Sequence, residues 1–126
     1  MLTVIAICIG ACVGALSRWQ LGLWLSHSHA LIPWGTLTAN LIGGYLVGVC
    51  VGVFQQMPEL DPLWRLALVT GFLGALTTFS SFSAEVVSML QQARYALALG
   101  TTSVHLLGSL ALTVLGLKTV AVFWLR

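Results

Sequence analysis

Four long apolar runs fill this chain, and the polar positions inside them recur at helical spacing. Leu2 to Leu25 carries one charge, Arg18, and Trp34 to Val53 carries none. Leu63 to Leu90 holds Arg65 at its start and Glu85 near its end, and Ala96 to Leu125 is uncharged until Lys118. Each run supplies the roughly 20 residues that a helix needs to cross a bilayer. The pattern predicts an all-α integral membrane protein of four transmembrane helices. Their approximate spans are 2–25, 34–55, 63–90 and 96–125, in a single unit covering 1–126. Connections are short, at Ser26–Pro33, Gln55–Pro62 and Gln91–Tyr95. Pro33, Pro58 and Pro62 fall in loops or at helix starts, where a missing N–H does no harm. Trp19, Trp24, Trp34, Trp64 and Trp124 lie near run ends, as interfacial anchors do.

The third run is badly suited to a plain lipid-facing helix. From Leu66 to Ala84 it has no charge, yet glycines, threonines and serines crowd its middle, with Phe79 and Phe82 among them. Unpaired polar backbone in lipid costs several kcal/mol per group, so such a segment must face protein or a cavity. Gly71, Gly74 and the Thr77-Thr78 pair predict a break. A break frees carbonyls at one half-helix end, suited to a cation, and N–H groups at the other, suited to an anion.

Composition narrows the class. The chain has 126 residues, 59% hydrophobic and 6% charged, against about 25% charged in a soluble domain. Lipid must be the solvent, and no stretch is left for a soluble domain. No basic residues precede the first run, which predicts a mature helix rather than a cleaved signal. A net charge of +2 spread over the helix ends gives no basic face for nucleic acid. No HExxH, GxSxG or GxxxxGK[ST] is present, so an enzyme is not expected. Cys8, Cys12 and Cys50 read as packing residues. His27 and His29 form an HxH that reads as a solvated loop pair.

With four crossings both termini share one side. That side collects Arg65, Lys118 and Arg126, and the other collects Arg18 and Arg94, three against two. Such bias sets orientation, and here it nearly vanishes, so an antiparallel two-fold dimer becomes available. Gly10 and Gly14 form a GxxxG, and Gly44, Gly48 and Gly52 form a longer ridge; both predict close helix packing.

Several polar side chains are candidates for a wet path. Thr101, His105, Ser109 and Thr113 recur every four residues and share one helix face. They either line a pathway or hydrogen-bond between helices. Thr36 and Asn40 are again four apart, and a side-chain amide offers two donors to an anion without a trapping charge. Ser81, Glu85 and Ser88 share a face, and Glu85 is the only acid within a span. Intramembrane acids are functional candidates unless merely hydrated at the interface. Phe79 and Phe82 either pack or offer positive ring edges to an anion.

Four segments together resemble the Fluc (CrcB) fluoride channels of bacteria. They are Gly10-Ala-Cys-Val-Gly-Ala-Leu-Ser-Arg18-Trp19, Gly35-Thr-Leu-Thr-Ala-Asn40-Leu-Ile-Gly43-Gly44, Thr70-Gly71 through Ser83-Ala-Glu85, and His105-Leu-Leu-Gly108-Ser109. The resemblance implies an antiparallel dual-topology homodimer in the bacterial inner membrane, with two pathways for fluoride. It implies a central sodium ion on the backbone carbonyls of Gly74 and Thr77. It assigns Asn40, Phe79 and Phe82 to the pore, and Ser81, Glu85, Ser109 and Thr113 to a polar track. His105 occupies a track position where the residue type varies. Ala75 and Ser81 depart slightly, since glycine and threonine are common there. The implied function is passive export of fluoride from the cytoplasm.

A small proton-coupled multidrug transporter is the main alternative. Those proteins share the size and weak charge bias, but need a membrane-embedded acid, and the first helix here carries Arg18 instead. A non-transporting assembly subunit is a second alternative.

Overall fold

A computed structural model describes residues 1–25 and 31–124. Residues 26–30 of the expected first loop, with its HxH pair His27 and His29, and the terminal Arg126 of the charge count lie outside the described residues. Every regular element among those described is helical. They are α1 (Leu2–Leu25), α2 (Trp34–Gln56), α3 (Pro62–Arg65), a π-helical segment (Leu66–Leu73), α4 (Gly74–Leu76), α5 (Phe79–Gln91) and α6 (Tyr95–Trp124). Among the described residues, four stretches are long and apolar enough to cross a membrane: Leu2–Leu25, Trp34–Gln56, Pro62–Gln91 and Tyr95–Trp124.

The third crossing is a composite. It starts where the Asp61 carboxylate accepts from the Leu63 N–H at 2.9 Å, with Pro62 in the first helical turn, an arrangement that caps orphan N–H groups. Nearby, the Arg65 guanidinium lies 5.2 Å from the centre of the Phe54 ring, a cation–π contact tying this start to the end of α2. The coil then widens to π-type bonding over Leu66–Leu73, a form found as short bulges near functional sites. Helical geometry stops at Leu76. Thr77 (φ −80°, ψ 155°) and Thr78 (φ −150°, ψ 119°) are extended before α5 begins.

Two pairings hold the bundle together. Along one, α1 lies against the π segment, and Gly10 and Gly14 meet the backbone of Ala67 and Phe72 so closely that a methyl group at either would collide with a carbonyl oxygen. Along the other, α2 lies against α6. Gly48 faces the Thr113 carbonyl while Gly116 faces that of Tyr45. In lipid, where apolar burial gives helices no drive to associate, such close backbone approach supplies much of the attraction. Ala39, Leu73 and Leu76 form a small buried cluster where the pairings meet. Large apolar side chains such as Ile9, Leu16, Leu107 and Phe123 point outward, the surface a bilayer solvates.

Candidate functional site

The helix break organises the site. In a continuous helix the Thr78 N–H would bond the Gly74 carbonyl. Here it donates to Asn40 Oδ1 at 2.8 Å, and Asn40 Nδ2 donates back to the Thr78 carbonyl at 3.0 Å. One side-chain amide thus pairs with both polar groups of an extended residue, as a neighbouring strand would. Thr78 also caps α5, its hydroxyl accepting from the Ser81 N–H at 3.1 Å and donating to Ser81 Oγ at 3.1 Å. Thr77 anchors the other stump through N–H and hydroxyl bonds to the Leu73 carbonyl at 3.0 and 2.9 Å. The turn to extended backbone leaves the Gly74 and Thr77 carbonyls without the i+4 N–H partners of an unbroken helix.

A cavity of about 480 Å³ opens beside the break. Of the sequence-predicted residues, Asn40, Gly74, Thr77, Phe79, Phe82, Ser109 and Thr113 line it, together with Thr78 and His105. Among the described residues, its walls carry no Asp, Glu, Lys or Arg. Phe79 is 79% exposed, whereas Phe82 is half-buried; their ring centres are 5.5 Å apart at 56°. The Phe82 ring lies 4.7 Å from the His105 imidazole, tilted by 35°. Thr113 approaches both the Gly44 carbonyl and the Ser109 carbonyl at 2.9 Å, so its hydroxyl hydrogen is engaged and its oxygen lone pairs remain.

Other expected members stand apart from this cavity. Ser81 turns its hydroxyl toward Thr78. Glu85, half-buried on α5, accepts a hydrogen bond on Oε1 from the Thr36 hydroxyl, while its buried Oε2 has no partner among the described residues. Thr101 lines a second, smaller cavity with Trp34, Leu37, Gly100 and Val104, so the hydroxyl stripe of α6 is divided between two spaces. The Asn40 amide, expected to turn its donors toward an anion, approaches His105 Nδ1 at 3.2 Å as well as Thr78. Sequence reasoning missed the central place of Thr78 and the partnership of Thr36 with Glu85. A hydroxyl residue just before an apolar helical run is a capping signal, and Thr78 before Phe79 carried it.

Comparison with known proteins gives a consistent answer. The family described as CrcB-like protein, Camphor Resistance (CrcB), matches residues 5–117. A protein called fluoride-specific ion channel FluC from Albidiferax ferrireducens is 69% identical over 119 residues, covering 94% of this chain and 91% of that protein. A protein of the same name from Variovorax paradoxus is 62% identical over 120 residues, covering 95% of each chain. Another from Paracidovorax citrulli is 58% identical over 125 residues, covering 99% of this chain and 98% of that one.

Proposed function

The chain belongs to the CrcB family, a family of ion channels rather than enzymes, and on that premise we propose that it is a passive fluoride-selective channel that lets fluoride leave the cytoplasm. The observation that carries this reading is the uncharged cavity at the break, walled by Phe79, Phe82, Ser109 and Thr113 and braced by Asn40. Bringing a small anion into low dielectric costs of order 20 kcal/mol in the idealised Born picture, and the cost rises as the ion shrinks. A fluoride path must therefore replace water with hydrogen-bond donors and positive ring edges, yet hold the ion loosely enough to release it. A cavity with no fixed charge meets both needs, and a narrow one rejects larger halides by size.

The functional unit on this reading is an antiparallel homodimer in the inner membrane, with one pathway along each copy. The near-balance of positive charge between the two sides supports insertion both ways. In one chain the cavity is open beside the exposed Phe79, and a second copy would close it. Ser81 and Glu85 then stand further along the path, beyond the break. Sodium at the dimer centre fits the backbone: the Gly74 and Thr77 carbonyls lie at the C-terminal end of a half-helix, where the dipole favours a cation. Two copies would contribute two carbonyls each. Bound there, sodium would supply positive charge that holds the two breaks together.

The rival multidrug transporter needs an acid in its binding cavity. Glu85 is held by Thr36 outside the cavity walls, which favours the channel. Reconstitution separates them. A channel releases fluoride from liposomes under a membrane potential with no pH gradient. Uptake of a lipophilic cation that requires a pH gradient, without fluoride release, would favour the transporter.

A further inference from the structure

The polarity of the bonds around Asn40 decides which nitrogen of His105 carries a proton. A backbone N–H can only donate, so the Thr78 N–H at 2.8 Å fixes the acceptor oxygen of the Asn40 side chain. The amide nitrogen is then the atom that faces the Thr78 carbonyl at 3.0 Å and His105 Nδ1 at 3.2 Å. It has two hydrogens, and these two neighbours take both. His105 Nδ1 must accept, so the neutral ring carries its hydrogen on Nε2. That Nε2 is buried and has no partner among the described residues. The residue is only 5% exposed, lines the cavity at the break and stacks against Phe82. A buried donor left unmatched is destabilising, so a donor held in that state calls for a ligand.

We propose that His105, through Nε2–H, is the donor that meets the anion at the break, and that Asn40 acts through it as a positioning residue that fixes its tautomer. The proposal rests on the fluoride-channel reading and reassigns one role within it. The amide expected to face fluoride is consumed by Thr78 and His105, and its polarity is passed to an imidazole that lines the cavity. A neutral imidazole suits this role, because it donates one strong bond beside the Phe82 ring without a fixed charge that would hold the ion.

The experiment combines nitrogen NMR of 15N-histidine-labelled protein with flux measurements on three variants. The His105 signals are those absent from the H105Q spectrum. The expected spectrum has the proton on Nε2 and a bare Nδ1, and the Nε2 signal moves as sodium fluoride, but not sodium chloride, is added. A proton on Nδ1, in the neutral or the charged ring, overturns the assignment, as does an Nε2 signal indifferent to fluoride. A glutamine amide nitrogen reaches the place of Nε2, an asparagine one that of Nδ1. H105Q should therefore pass fluoride faster than H105N or H105F by about tenfold or more, all compared as folded dimers. Equal flux in H105Q and H105F overturns the proposal. The titration is read in detergent and does not depend on flux, so a fluoride-sensitive Nε2 in a protein that passes no fluoride would sink the channel reading alone.

Discussion

Asn40 and Thr78, 38 residues apart in sequence, are joined by a reciprocal pair of hydrogen bonds, 2.8 Å from the Thr78 N–H and 3.0 Å back to its carbonyl. This clasp lets the third crossing abandon helical geometry inside a membrane. The two polar groups of an extended residue would otherwise be left without partners at depth in the membrane, and α2 supplies both from one side chain.

Replacing Asn40 with leucine removes the clasp and the bond to His105 together. Hydrogen bonds between membrane helices are worth about 0.6 kcal/mol on average and up to about 1.7, so the variant should lose about 2–5 kcal/mol of stability. Denaturant or thermal unfolding of the detergent-solubilised protein reads this directly. An unfolding curve that overlays the parent's would show that the break needs no brace.

Glycine substitutions along the helix contacts separate packing from propensity. Gly48→Ala pushes a methyl group into the Thr113 carbonyl, while Gly100 has no atom within 4 Å of the place a methyl group would take. Overpacking should cost Gly48→Ala about 1–3 kcal/mol. Gly100→Ala should be neutral or stabilising by up to about 1 kcal/mol, because alanine is the better helix former. Equal stability of the two variants would mean that α2 and α6 do not meet at Gly48.

Phe79→Ile and Phe82→Ile keep apolar bulk but delete the positive ring edge. Phe79 is mostly exposed, so its replacement should leave the fold intact. Each change should slow fluoride flux by about 100-fold, comparable to losing one preorganised stabilising group in an active site. A pair of folded dimers that conduct at the parental rate would remove both rings from the pathway.

Sodium removal tests the carbonyl cluster. Protein prepared in a large organic cation should lose dimer and flux together, and sodium should restore both where potassium does not. Dimer fraction by size and fluoride release by electrode give the two readouts. Indifference to the cation would leave the Gly74 and Thr77 carbonyls with no such role.

Much of the architecture is legible in the sequence because the bilayer is a demanding solvent. An apolar run of about 20 residues with hardly any charge admits few alternatives to a spanning helix, and the four crossings appear at the four such runs. The break is legible for the same reason, since Gly74 and Thr77-Thr78 are poor continuations of a lipid-facing helix. Finer features depend on pairs far apart in sequence. Nothing local in Leu66–Leu73 announces π geometry; it belongs to the meeting of that segment with Gly10 and Gly14. The hydroxyl period of α6 is correct as a helix face, yet Thr101 opens onto a different cavity from Ser109 and Thr113, because a 30-residue helix passes more than one neighbour. Ser81 sits one position from Phe82 and is turned about 100° from it around the helix, so one faces the cap and the other the cavity. Asn40 was legible as a polar group at depth, but its direction is set by Thr78 and His105, which no spacing on α2 reveals.

The most direct test of the central claim is a paired efflux measurement on proteoliposomes loaded with equal fluoride and chloride, each followed by its own electrode after a potassium ionophore relieves the charge. A fluoride-selective channel predicts rapid loss of fluoride with chloride retained, scaling with the fraction of vesicles that contain protein. Retention of fluoride by folded, dimeric protein, or release of the two ions at similar rates, would contradict it.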